Sequence, residues 1–276
     1  MNQSILVYRG FRYLKVAIAL SLIASLFYVF HQPMQRPNGG TWLGYGLGSI
    51  GAGLIVWLMW FGIRKRRYGG GRAMVEEWLS AHVYLGLSLI VVATLHSGFK
   101  FGWNVHTLAY VLMMTVIGSG IFGVYAYVRY PTLMTENQRG ATLEMMMGQM
   151  SDLDRECRAA AMGLGDDIAR LVLAASQETC IGGSVWRQLR GTDPSCPTHS
   201  ALVGVHTRAA AAPGDHAVAL RRLVTLLQRK DDLVGRARRD VQIKALLDIW
   251  LYIHVPLSFA LLAALIAHIV AVFFYW

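Results

Sequence analysis

The chain has 276 residues, of which 55% are hydrophobic and only 15% charged, a balance too apolar for an ordinary soluble enzyme and one that points to the bilayer. Lysine and arginine outnumber aspartate and glutamate by 26 to 16, but the ten basic residues before Arg129 flank long hydrophobic runs, where such charges set membrane orientation, so no nucleic-acid partner is implied. The three cysteines, Cys157, Cys180 and Cys196, are an odd number with no CxxC pair, which argues against a disulfide scaffold.

A spanning helix needs roughly 20 mainly apolar residues to cross about 30 Å of hydrocarbon. Five stretches reach or approach that length: Tyr13 to Phe30, Trp42 to Ile63, Trp78 to Ser97, His106 to Val128, and Leu246 to Tyr275. The first follows Arg9, Arg12 and Lys15 but ends in Phe27-Tyr28-Val29-Phe30 with no small-residue cleavage site, so it is read as a true span and not as a signal peptide. Trp42, Trp60, Trp78, Trp103, Trp250 and Trp276 stand near the proposed ends, as interfacial anchors do. Acids are absent from the early spans; the first are Glu76 and Glu77, and the next is Glu136.

Orientation follows from the short-loop charges. Three basic residues precede span one and five follow span two (Arg64, Lys65, Arg66, Arg67 and Arg72), against Arg36 and Lys100 on the other side. The positive-inside rule therefore predicts a cytoplasmic N-terminus, parallel third and fifth spans, and an external C-terminus.

Between spans four and five lies a polar segment with sixteen basic and fourteen acidic residues from Arg129 through Asp248. Leu143, Met146, Met150, Leu153 and Cys157 recur at alternating three- and four-residue steps, which predicts a helix with one apolar seam. Leu220, Leu223, Leu226 and Leu227 predict a returning helix that continues into span five, and Pro194, Pro197 and Pro213 mark residues 182–214 as an irregular tip. The expected organisation is an all-α integral membrane bundle of about five spans. Residues 1–130 hold four spans, 131–245 a mainly helical extramembrane insertion, and 246–276 the fifth span. The insertion carries no nucleotide-binding glycine pattern, and a docking role is expected of it. Its sequence Cys196, His199, His206 has a zinc-like order but lacks an obvious fourth ligand.

Four histidines inside the spans form the pattern that carries chemistry, because an intramembrane histidine is costly enough to need a role. His82 and His96 on span three, and His254 and His268 on span five, are each separated by thirteen residues. A step of fourteen residues turns a helix to within roughly 40° of a whole number of turns and rises about 21 Å, so both members of a pair face one side. Trp78-Leu79-Ser80-Ala81-His82-Val83 also matches Trp250-Leu251-Tyr252-Ile253-His254-Val255 in register. With the spans parallel, His82 lies level with His254 and His96 with His268. Two opposed imidazole pairs are the axial ligation of two b-type haems, with no open coordination position. No CxxCH occurs, so both haems would be held without covalent attachment.

Gly86, Gly118, Gly120 and Gly123 leave room for a flat macrocycle or for close helix packing. His106, at the start of span four near His96, is a candidate contact for a haem propionate or a quinone headgroup, or a substitute ligand. Arg67 and Arg72 are candidate propionate partners beside their topological role. Glu77 is a candidate proton carrier to a quinone, or a helix-dipole residue.

The doubled histidine pattern, together with His96-Ser97-Gly98-Phe99 through Ile121-Phe122-Gly123, resembles the dihaem membrane cytochromes b of bacterial quinone-linked redox complexes. It is also similar to the haem core of the ferric-reductase and NADPH-oxidase group. It lacks the Pro-Glu-Trp-Tyr sequence and the span count of the quinol:cytochrome c reductases, so no quinol-oxidation residues carry over. The resemblance implies two haem b groups on His82, His254, His96 and His268. It further implies a quinone substrate and an iron-sulfur, flavoprotein or multihaem cytochrome c partner, at the bacterial inner membrane. Under the reductase resemblance an FAD/NADPH module would be a separate chain. A transmembrane ferric-reductase or oxidase-like role and a non-redox transporter or proton channel are the competing readings.

Overall fold

A computed structural model of the chain describes residues 5–33, 39–67 and 72–274, and for residues 5, 61–67 and 72–75 the backbone alone. Arg36, Tyr275 and Trp276, and the side chains of Arg64 to Arg67 and Arg72, lie outside the described residues. Nine α-helices are described: α1 (Tyr8–Phe30), α2 (Trp42–Arg67), α3 (Arg72–Ser97), α4 (Val105–Gln138), α5 (Leu143–Ala161), α6 (Asp166–Gln177), α7 (Val185–Arg190), α8 (Pro197–Ala211) and α9 (Gly214–Phe274). No strand occurs among the described residues.

Five of these helices, α1, α2, α3, α4 and α9, are long and apolar enough to cross a membrane, and the chain is an all-α membrane protein. The chain divides into two units, Met1–Val128 with Trp250–Trp276, and Arg129–Ile249.

In the membrane unit, small residues let the backbones approach. A side chain added at Gly51 of α2 would sit 3.8 Å from Val92 of α3, and Val92 and Leu89 are fully buried. Interior hydroxyls bond locally, as they must where water is absent: Ser88 donates to the Leu85 carbonyl (2.8 Å), and Thr94 to that of Ile90 (2.6 Å). The outward faces stay apolar, with Leu22, Leu26, Val29 and Phe30 of α1 all exposed; in a lipid solvent such a surface is the stable one.

The insertion has its own core. Cys157, Ala161, Ile168, Val172, Ala201, Val205, Leu220, Leu223 and Leu227 form one cluster, and Met146, Met150, Cys196, Val234 and Ala237 another. The seam predicted from Leu143 to Cys157 is the buried face of α5, with Thr142 accepting from Met145 N at 3.2 Å as N-cap, and the returning helix runs unbroken as α9. The irregular tip expected at residues 182–214 is corrected: α7 and α8 make most of that stretch helical. Pro197 is the first residue of α8, a position where its missing N–H has no intrahelical partner to lose. Thr198, Ala201, Val205 and Ala209 then supply a buried face at three- and four-residue steps.

The loop before α8 is pinned by Asp193. Its carboxylate accepts from the Ser195 hydroxyl (2.7 Å) and from the guanidinium groups of Arg187 (2.8 Å) and Arg238 (3.4 Å). The Ser195 hydroxyl, then the Ser195 amide and the two arginines, hold its pKa below the ordinary 3.8 against the opposing effect of burial. A carboxyl whose pKa is lower folded than unfolded stabilises the fold above its unfolded value and loses that contribution as the pH falls through the folded one. Acid protection of the segment 180–195 is therefore expected to fall below about pH 3.8, and Asp193→Asn to flatten the dependence. Hydrogen exchange across the acid range measures it, and identical profiles for the two proteins would contradict it.

Candidate functional site

The four intramembrane histidines lie on two helices of the membrane unit, His82 and His96 on α3 and His254 and His268 on α9. All four are half-buried. His96 and His268 face each other with ring centroids 5.9 Å apart and planes at 80°, and His82 and His254 lie within electrostatic range of one another. Fourteen residues separate the two levels on each helix, about 21 Å of helical rise.

Three of the four rings are held by a neighbouring helix. His96 Nδ1 is 2.8 Å from the Gly44 carbonyl of α2; a carbonyl only accepts, so Nδ1 carries the proton and Nε2 the lone pair. At the other level the Ser119 hydroxyl of α4 donates to the Val116 carbonyl (2.8 Å) and lies 2.7 Å from His254 Nδ1. With its hydrogen directed to Val116 the hydroxyl is an acceptor, and His254 then donates from Nδ1 and presents a bare Nε2. The Leu58 backbone of α2 lies within reach of the His82 ring. His268 Nδ1 is 2.5 Å from Nδ1 of His106. Metal-ligating histidines carry this kind of second partner, which sets the tautomer and aims the ring.

Glycines clear the space around the rings. A β-carbon at Gly48 would come within 2.7 Å of His96 Cε1, one at Gly39 within 3.3 Å, and one at Gly120 within 3.6 Å of His254 Cε1. Gly118 has open space around it. At Gly123 an added carbon would lie 2.1 Å from the Trp250 indole, whose Nε1–H donates to the Ser119 carbonyl at 2.8 Å, one helical turn before His254. The indole is rigid and cannot swing aside cheaply, so Gly123→Ala is expected to expel it, costing about 1–3 kcal/mol as overpacking does and loosening Ser119 and His254 together. Thermal unfolding of the purified variant measures this, and a wild-type midpoint would contradict it.

The other candidate contacts are placed as follows. Glu77 accepts from the Tyr13 (2.8 Å) and Tyr8 (3.0 Å) hydroxyls and lies 3.9 Å from Arg12, tying the start of α1 to α3. His106, exposed at the start of α4, contacts His268 with ring centroids 4.6 Å apart. An apolar cavity of about 600 Å³ opens between α2 and α9 beside the stacked indoles of Trp57 and Trp78. None of its lining residues titrates, so it offers a hydrophobic wall and no proton chemistry. In the insertion, His199 pairs with Asp231 at 3.2 Å and Cys196 is buried in the core.

The sequence does not mark Ser119, Gly44 or Gly48 as parts of the site; Ser119 lies between two glycines that offer clearance for a macrocycle. Among the described residues no set of three or more His, Cys, Asp or Glu side chains is arranged to hold a metal ion. An axial pair differs from such a set, because a porphyrin brings its own in-plane nitrogens and asks the protein for two imidazoles only. The opposed rings of His96 and His268, the defined Nε2 lone pair of His96 and the glycine clearance around the rings fit that requirement. Comparison with protein-family models, curated proteins and solved structures found no match.

Proposed function

We propose that this chain is the dihaem b-type cytochrome subunit of a bacterial quinone-linked redox complex, moving electrons across the cytoplasmic membrane between a quinone pool and a partner protein. The observation that carries the reading is the pairing of α3 with α9: His96 and His268 meet with ring centroids 5.9 Å apart, His82 and His254 lie within electrostatic range of one another, and His96 keeps Nε2 free. Bound there, the two haems would supply one-electron redox chemistry at two depths of the bilayer.

The chain's own residues do the positioning. His82 and His254 would ligate at the cytoplasmic level, and His96 and His268 at the external level, given the positive-inside orientation. Gly44 and Ser119 fix tautomers, and Gly48 and Gly120 admit the rings. Leu89, Met113, Leu261 and Leu265 pack between the levels and exclude water from the path. The insertion, folded around its own core, would serve as the cytoplasmic docking surface for an iron-sulfur, flavoprotein or multihaem partner.

The test is haem reduction in isolated membranes carrying the full chain and its partners. Added quinol, without NAD(P)H, is expected to reduce the b-type absorbance. Reduction by NAD(P)H alone, with no response to quinol, would instead support a transmembrane reductase feeding ferric iron or oxygen.

A further inference from the structure

The histidine contacts to neighbouring helices repeat in a regular way. On α2, Gly44 holds His96 of α3, and fourteen residues further along α2 the Leu58 backbone lies near His82, itself fourteen residues from His96. On α4, His106 and Ser119 stand thirteen apart and hold His268 and His254 of α9, again fourteen apart. In each pair of helices the order is reversed, so α2 runs against α3 and α4 against α9. Helix rise makes thirteen and fourteen steps about 20 and 21 Å, so the acceptors of one helix reach both histidines of the other. Two helices thus carry the four level histidines, and two others aim three of them.

We infer that His106 is the positioning residue of His268, holding it as a ligand for the outer haem in the way that Ser119 holds His254. The inference rests on the proposed dihaem reading and concerns a residue outside the four ligands. Two neutral imidazoles facing through Nδ1 share one proton between them. For His268 to offer Nε2 to iron its own Nδ1 must hold that proton, so His268 donates to His106, whose proton then sits on Nε2. His106 is itself fixed by the start of α4, where Asn104 Oδ1 accepts from Thr107 N (3.0 Å) and Thr107 Oγ1 accepts from Gly102 N (3.0 Å). His268 therefore lies between two rings, with His96 at 5.9 Å and His106 at 4.6 Å between centroids. Only the His106 contact uses Nδ1.

The acceptor differs at the three defined contacts: a carbonyl for His96, a hydroxyl for His254 and an imidazole nitrogen for His268. Imidazole is the strongest base of the three, so it draws the Nδ1 proton furthest and makes His268 the most electron-donating ligand. A more basic ligand favours ferric over ferrous iron. His106 thereby lowers the potential of the outer haem and separates the two centres in energy.

The experiment is spectroelectrochemical titration of the purified, haem-loaded chain, comparing wild type with His106→Phe, which removes the acceptor, and His106→Asn, whose Oδ1 can replace it. His106→Phe is expected to keep two haems per chain, to weaken the ferric preference of one centre about tenfold, a rise of 59 mV for a one-electron couple, and to leave the other unmoved. His106→Asn is expected to return that centre toward the wild-type potential. Unchanged potentials and unchanged ferric electron-spin-resonance signals in His106→Phe would overturn the inference. So would loss of one haem in His106→Phe with two retained in His268→Ala, since His106 would then be the ligand itself. A haem-free wild-type chain would instead remove the dihaem reading on which the inference stands.

Discussion

His268→Ala is expected to lower the haem content of the purified chain from two to one, and His82→Ala to do the same by emptying the other level. Each substitution removes one imidazole from one opposed pair, and a non-covalent macrocycle with a single axial ligand in an apolar site loses the coordination that holds it. The levels are about 21 Å apart along both helices, far enough that the two losses should be independent. The double variant should bind none. A pyridine haemochrome count per chain reads all three outcomes, and two haems retained in either single variant would refute the pairing. The visible spectra should also differ, since His96 and His268 are held by a carbonyl and an imidazole whereas His254 is held by a hydroxyl.

Lys230→Ala is expected to destabilise the insertion by about 3–5 kcal/mol, the cost of leaving one half of a buried ion pair alone. Lys230 is 2% exposed. Its ammonium donates to Asp154 Oδ1 at 2.5 Å and to the Ala175 carbonyl at 2.6 Å, joining α9 to α5 and to the end of α6. Truncation leaves the Asp154 carboxylate, only 18% exposed, without its cation, and opens a void beside Cys157 and Ala175, which are both fully buried. Replacing both partners by apolar residues, Lys230→Met with Asp154→Leu, should recover most of the loss, because no uncompensated charge remains. Hydrogen exchange in the full chain resolves the insertion from the spans. Exchange in α5 and α6 unchanged by Lys230→Ala would contradict the expectation, as would a double variant no better than the single one.

The membrane architecture was legible because its signals are long. Twenty-residue apolar runs between tryptophans identify the spans, and the fourteen-residue histidine step survives uncertainty in where each helix starts. That step alone puts His96 opposite His268, as the structure does at 5.9 Å. The partners that aim the histidines were hidden for a physical reason. Gly44 acts through its backbone carbonyl, which carries no mark in a sequence, and Ser119 resembles any small residue at a helix interface.

The insertion misled where its elements are short. α7 has 6 residues, too few for periodicity to separate it from a loop. Pro197 was read as a breaker, although at the first position of α8 it starts a helix. Lys230 stands in the charge run Arg229-Lys230-Asp231-Asp232, where nothing distinguishes the buried lysine from its exposed neighbours except the α9 face it occupies.

The reading as a whole depends on whether the chain carries haem, and a reduced-minus-oxidised visible spectrum of the purified protein with a pyridine haemochrome count answers that directly. Two b-type haems per chain is the expected result, one for each histidine level. A chain that folds into the membrane without haem would contradict the account, and its intramembrane histidines would then have to serve transport or proton conduction.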